Sequence, residues 1–303
     1  MDASSGIYAF GNFVTVKIGI IGSGFGVYGY LPAAASIGWD VITLKRYKDT
    51  ILARTELSNY WNKISFMDSE KDLIEHSSRI VVAQTPEMQF NFIRNFSQDL
   101  KRVSHLYLEK PLTNNLNNSK SVLNFLRSNE LSFSLGYIFL HTEWFQTLSK
   151  LLETSGNVVR FKWSIPSPNS NWKSRKNLGG GINHFFLIHL IPVLSNLGFP
   201  ISKLETGSIG EKSFLRVSDR NLVEVFAEIV SKDFIFEIYV NDSEEPIFKA
   251  ETPFGMKPQI GTTDPRIVPL QKYLVSAIDG IAGSHSSFET ELEVLAFLKI
   301  CEG

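Results

Sequence analysis

Residues 19–33 read GIIGSGFGVYGYLPA. They follow a run rich in β-branched residues, VTVKIGII at 14–21, and lead into LPAAASIG, an apolar stretch that stops near Gly38. A buried strand running into Gly22 and a helix opening after Gly24 form the first turn of a dinucleotide-binding βαβ unit. Gly22 permits the tight turn, and Gly24 lets the backbone approach a pyrophosphate resting on the helix N-terminus. The third position of the G-x-G-x-x-G pattern, where glycine lets the helix pack closely on the strand, is Val27. A side chain there is expected to push the helix slightly outward without blocking the phosphate, with Gly26 and Gly29 absorbing the strain. The competing reading is a tight turn in an unrelated α/β protein.

Outward from this loop, strand and helix patterns alternate. DVITL (40–44), RIVVAQTP (79–86), SHLYLEKP (104–111) and LSFSLGYIF (131–139) read as strands. Helical spacing fills 50–61, 87–96 and 115–130. Such alternation predicts a doubly wound parallel sheet covered on both faces. Past residue 139 the rhythm changes. A helix over 141–154 precedes a long strand over 157–165, a polar loop, a glycine cluster and an apolar helix. LVEVFAEIV (222–230), DFIFEIYV (233–240) and PIFKAE (246–251) then follow without intervening helices, which predicts a mixed or antiparallel sheet. The tail, 266–302, reads as two helices. The fold class expected is α/β: a Rossmann domain over 1–135 and a C-terminal α+β domain with an open sheet over 136–303.

Composition excludes several classes. A chain of 303 residues with 43% hydrophobic and 20% charged residues has ample core. A formal net charge of −1 gives no electrostatic footprint for nucleic acid or an anionic membrane. The single cysteine, Cys301, forms no internal disulfide or cysteine zinc site, and the six histidines lack ligand spacing, so no metal is expected. The N-terminus has no basic n-region, and no uncharged apolar run reaches the ~18 residues of a membrane span. A cytoplasmic protein is the default expectation.

Cofactor choice is read about twenty residues past the glycine loop, where an acidic residue binds the ribose 2′-hydroxyl of NAD. Here TLKRYKD (43–49) presents Lys45, Arg46 and Lys48. Cations suit a 2′-phosphate, so NADP is expected over NAD; the alternative is a solvated basic loop, with Asp49 turning in.

YLEKPLTNN (107–115) and NLGGGINHFFLIH (177–189), taken with GIIGSGFG and AQTPE, resemble the Gfo/Idh/MocA oxidoreductases, the family of glucose–fructose oxidoreductase and inositol dehydrogenase. The match runs in order along nearly the whole chain. The resemblance implies a nicotinamide cofactor, hydride transfer at a secondary alcohol or carbonyl of a sugar-like small molecule, and a homo-oligomer built on the open sheet. It makes Lys110 the catalytic acid/base and places Pro111 after a cis bond. The expected cofactor contacts are Gly22, Gly24, Phe25, Gly26, Arg46, Thr85, Pro86, Glu109 and Lys110. A plain turn at Thr85–Pro86 is an equal alternative.

The chain departs from the family at its second motif. Gly179, Gly180, Gly181 and His189 align, but the aspartate position is Phe185 and the following glycine is Leu187. In a regular helix, at about 100° per residue, His184 lies about 140° from His189 and cannot replace the aspartate. His184 is then structural or on the rim of the substrate site. His189 is either a partner of Lys110 in a dry pocket or a packed histidine. Trp172 and Lys173, just before the glycines, are expected to line the substrate pocket, against the alternative of a solvated loop. Phe185 removes a carboxylate that would orient substrate hydroxyls, which favours a less hydroxylated or more aromatic substrate. A second function stays open on the same fold: a dinucleotide-binding sensor or regulator without turnover. A reductase of a planar conjugated substrate, as in biliverdin reductase, is a third.

Overall fold

A computed structural model describes residues 16–154, 158–166, 172–209, 212–218, 222–230, 235–259, 261–278 and 287–302. The first strands are β1 (Lys17–Ile21), β2 (Asp40–Leu44), β3 (Ile64–Met67), β4 (Arg79–Val82), β5 (His105–Leu108) and β6 (Phe133–Leu135). All pair in parallel, in the order β3-β2-β1-β4-β5-β6, the order of a dinucleotide-binding doubly wound sheet. Their β-branched runs are buried on both faces, because the crossover helices cover the sheet above and below. These helices are α1 (Leu31–Ser36), α2 (Lys48–Leu52), α3 (Glu70–His76), α4 (Pro86–Asn95) and α5 (Leu116–Ser128). Ser69 caps α3 by accepting from the Asp72 amide, Asn115 caps α5 by accepting from Asn118, and Pro86 opens α4.

The second sheet holds β7 (Val158–Pro166), β8 (Leu204–Ile209), β9 (Lys212–Ser218), β10 (Leu222–Val230), β11 (Ile235–Val240) and β12 (Phe248–Ala250), in the order β12-β11-β7-β10-β9-β8. It is mixed: β7 and β10 run parallel and the other pairs antiparallel. One face packs on α6 (Glu143–Thr154) and α7 (Leu190–Asn196) around the buried rings of Phe139, Trp144, Phe161 and Phe236. The opposite face presents Phe214 and Phe226 between ion pairs such as Arg160–Glu224 and Lys249–Glu237. Of the two last helices, α8 (Ile267–Ser276) returns to the first sheet and α9 (Ser287–Glu302) packs against α5 and α7. The Tyr107 hydroxyl on β5 donates to the Leu274 carbonyl on α8 at 2.8 Å, and Gln271 on α8 donates to Ser36 at 2.6 Å.

Several elements differ from the sequence expectation. β3 was not anticipated: ISFM is short and half-buried, an edge strand whose partner β2 supplies the pairing. β8 and β9 were missed too: Gly207 leaves the outward face of β8 without a side chain opposite Phe214, and Ser213 interrupts the inward apolar row of β9. The 50–61 segment is mostly a tight 3₁₀ coil, Thr55–Lys63, after the short α2. The 182–196 segment is no regular helix: it winds as a π turn over Ile182–Phe186, tightens over Leu187–His189 and becomes α-helical at Leu190. The helical stretch 176–196 is long and apolar enough to cross a membrane by composition alone, but 61% of its most apolar window is buried inside the molecule, as in a core helix.

Candidate active site

Gly22 ends β1 with φ +133°, and a Cβ there would lie 2.1 Å from the Ala83 carbonyl oxygen, so only glycine lets the loop cross the end of β4. At Gly24 a Cβ would meet nothing within 4 Å. The space beside this amide is therefore open to a ligand, as pyrophosphate contact requires. Val27 is 1% exposed and sits in a π turn, Gly26–Tyr30, wider than an α turn, that precedes α1. Gly29 is required for a different reason from strain relief: the Phe25 ring lies over it, 2.3 Å from where a Cβ would be.

The same rim holds Thr85 and Pro86 at the start of α4, and a Cβ on Gly179 would lie 3.1 Å from the Pro86 ring. Gly179 thus packs on the carboxyl end of the first sheet. Gln84, which no motif marks, has its Oε1 buried there with no hydrogen-bond partner. An orphan acceptor and an open amide beside a required glycine fit a dinucleotide. Arg46 stands at the end of β2 as expected, but its guanidinium donates to Glu70 Oε1 at 2.6 Å, and Lys45 pairs with Asp68 at 3.2 Å. Both cations face carboxylates from the β3–α3 turn, which sequence distance concealed.

Lys110 follows β5, where ligands of open parallel sheets bind, and is 7% exposed. The Lys110–Pro111 bond is cis. Gln89 on α4 holds the turn: its Nε2 donates to the Glu109 and Leu112 carbonyls at 2.7 and 2.9 Å, and its Oε1 accepts from the Glu109 amide at 2.9 Å. Lys110 Nζ donates to the Phe185 carbonyl at 2.8 Å and stands 3.8 Å from the Phe185 ring centre. Burial, opposed by the Glu109 carboxylate and aided by nearby Lys173 and Arg266, brings the Lys110 ammonium down to about 7. Glu109 turns away to accept from the Tyr30 hydroxyl at 2.6 Å, and burial raises its carboxyl despite Lys110. Desolvation outweighs attraction between these neighbours, so both drift toward neutrality.

The second motif supplies the facing wall. Gly180 passes so close to the Trp172–Lys173 backbone that a Cβ would lie 2.3 Å from the Trp172 carbonyl oxygen. Trp172 meets the Phe185 ring edge-on at 5.2 Å, and Lys173 Nζ lies 5.1 Å from the same ring centre. Phe185 therefore gathers Trp172, Lys173 and Lys110. His189 stacks flat on Phe139, centres 4.3 Å apart, with Nδ1 buried and unpartnered. Burial, then Lys110 and Arg266, hold its imidazolium well below the usual range, so the ring is neutral. His184 does not join the site: it faces α9, with Nε2 3.8 Å from Glu302, and lines a cavity of about 10 Å³ behind the Pro111–Leu116 segment, room for one water.

Arg266 joins the site without any motif to mark it. It caps α8, forms a double ion pair with Asp264 at 2.8 and 2.6 Å, and lies 4.3 Å over the Phe25 ring. It is close enough to lower the pKa values of Lys110, Lys173 and His189. No motif announces a residue that reaches the glycine loop from 240 positions away.

No protein-family model matches the sequence, and no curated protein matches it. Solved structures do. A myo-inositol dehydrogenase from Corynebacterium glutamicum superposes with TM-score 0.69 at 12% identity, over 95% of this chain and 96% of that one. A 3-ketoreductase from Actinomadura kijaniata, in complex with NADP and TDP-benzene, gives 0.66 at 12% identity over 95% and 98%. A dehydrogenase from Thermus thermophilus, in complex with NAD and UDP-GlcNAcA, gives 0.70 at 12% identity over 95% and 95%. The matched structures are of Gfo/Idh/MocA type, and this chain carries their fold.

Proposed function

We propose that the protein is a nicotinamide-dinucleotide-dependent oxidoreductase acting on a secondary alcohol or carbonyl of a sugar-like small molecule, with Lys110 as the acid/base. The observation that carries this reading is a buried lysine held near pH 7 at the carboxyl end of the parallel sheet. Such an amine exists in both forms at neutral pH, so it takes a proton from a hydroxyl in one direction and returns it in the other. A bound nicotinamide supplies the hydride acceptor or donor. Gly22, Gly24 and the Gly26 turn would cradle its phosphates, and Gln84, Thr85 and Pro86 its nearer half. Neutral His189 would hydrogen-bond the substrate oxygen beside Lys110. The NAD, NADP and nucleotide-sugar ligands of the matched structures support this reading.

Arg46 is the residue through which NADP would be preferred, after exchanging Glu70 for the 2′-phosphate. The open face of the second sheet, with Phe214 and Phe226 between ion pairs, would serve a homo-oligomer. A regulatory dinucleotide-binding role without turnover is the second reading. It is favoured by one observation, the Lys110 amine's hydrogen bond to the Phe185 carbonyl where the family has an aspartate. Titration with NADPH and NADH, read by tryptophan fluorescence, followed by a substrate screen against Lys110→Ala, decides among these. Tight binding with Lys110-dependent turnover supports the enzyme; tight binding without turnover supports the sensor. No binding of either cofactor at millimolar concentration overturns both.

A further inference from the structure

A second concavity lies between the turn that follows α7 and the outer side of α9, and it shares no residue with the Lys110 cleft. It encloses about 500 Å³ and is open to solvent. One wall is the turn Phe199–Ser202, the other the α9 residues Leu292 and Ala296. These two lie one helical turn apart and are both exposed, Leu292 by 46%. Glu293 stands beside them in the same lining. Two residues earlier Glu291 points into the core, as about 100° per residue requires of neighbours on opposite sides of a helix. Glu291 thus meets the Tyr137 hydroxyl, whereas Glu293 Oε2 is buried with no hydrogen-bond partner among the described residues. Lys203, the basic residue that follows the turn, has interactions of its own. A carboxylate oxygen taken out of water without a donor carries a free-energy cost that an incoming cation offsets.

We propose that this groove binds a small organic cation, a primary ammonium on a short hydrocarbon body. Glu293 takes the ammonium, and the hydrocarbon lies between the Phe199–Ser202 turn and the Leu292–Ala296 face of α9. The volume is that of a small-molecule site. A bare metal ion suits it poorly, because calcium and magnesium take six or more oxygen ligands and this lining offers one carboxylate beside apolar walls. The proposal goes beyond the oxidoreductase reading and does not rest on it. Ser195, which lines the groove, belongs to α7, the helix that continues directly from His189. The groove therefore touches an element of the active-site cleft while remaining a separate site.

The test titrates 2-phenylethylammonium and the neutral 2-phenylethanol into the full chain, followed by ligand-observed NMR, on wild type, Glu293→Gln and Ala296→Trp. The two probes match in shape and differ in charge. Thermal melting checks that each variant folds. The amine is expected to bind about five- to tenfold more tightly than the alcohol, the ratio a part-buried ion pair gives. Glu293→Gln should remove that preference while leaving binding of the alcohol unchanged. Ala296→Trp, which fills the groove from its exposed side, should abolish binding of both probes. Equal affinity of the two probes, or a preference that survives Glu293→Gln, overturns the proposal. Amine binding untouched by Ala296→Trp places the cation elsewhere and overturns it too. So does the absence of saturable amine binding at about 20 mM, a concentration within reach of a fragment this small. None of these readouts requires NADH to bind, so failure of the oxidoreductase reading leaves the cation site standing.

Discussion

Replacing Glu291 by Gln should make the protein more stable, and the gain should depend on pH in a way fixed by the structure. Glu291 on α9 is 1% exposed and accepts from the Tyr137 hydroxyl at 2.5 Å. Burial pushes its carboxyl up to about 8, against the lowering effect of that hydrogen bond. Below about pH 4.5 the folded and unfolded chains both hold this proton. Between there and pH 8 the unfolded chain has released it and the folded one has not, so stability falls as pH rises. A displacement from 4.5 to about 8 corresponds to a loss of about 5 kcal/mol by pH 8, after which the curve flattens. Glutamine keeps the neutral shape and has no proton to lose. Other titrating groups are common to both proteins and cancel in the difference. Urea denaturation at pH 5 and pH 8.5 measures it: the stability difference between E291Q and wild type should grow by several kcal/mol between the two. Parallel pH dependences for the two proteins would refute the assignment of a buried, protonated carboxyl, whatever the absolute stabilities.

Four further outcomes follow from the site. Glu70→Gln should strengthen NADPH binding relative to NADH by up to about fivefold, since the 2′-phosphate no longer has to displace a half-exposed ion pair worth about 0.2–1 kcal/mol; an unchanged ratio would mean Arg46 does not meet the 2′-phosphate. In the oxidation direction the rate should rise with pH through a limb near 7 set by Lys110, and Lys110→Met should abolish turnover while leaving NADH affinity within a few-fold. Gly22→Ala should destabilise the chain by about 1–3 kcal/mol or more, because φ +133° and the Ala83 carbonyl both exclude a methyl group, and thermal melting reads this directly. Gln89→Leu leaves the Glu109 and Leu112 carbonyls without the Gln89 amide and should cost about 1–3 kcal/mol of stability. If it positions the Lys110 turn, kcat should fall with little change in cofactor affinity; a purely structural role would leave kcat alone.

The parallel sheet was legible because its strands are short β-branched runs buried on both faces and punctuated by glycine or proline. β3 was not, since ISFM has neither alternation nor a strong apolar run, and its pairing with β2 supplies what its composition lacks. Lys110 and the triple glycine were legible as motifs. The environment of Lys110 was not, because the Phe185 carbonyl lies 75 residues away in sequence and Arg266 farther still. Arg46 shows the opposite case. Its residue type pointed to a phosphate, and only the folded chain brings Glu70 against it. A regular helix would separate His184 from His189 by angle alone; the segment is π then 3₁₀, yet the two rings still diverge, because His189 meets Phe139 and His184 meets α9.

The return of α8 to the first sheet has a consequence for how the chain comes into being. Tyr107, buried in β5, closes its hydroxyl on a carbonyl 167 residues later, and Tyr273 on α8 lies against both Tyr30 and Tyr107. During synthesis the glycine loop and its sheet emerge first, but their aromatic flank stays bare until α8 has left the ribosome. The first sheet thus gains its aromatic cover late, and a chain cut short before α8 displays a wet tyrosine cluster beside the glycine loop.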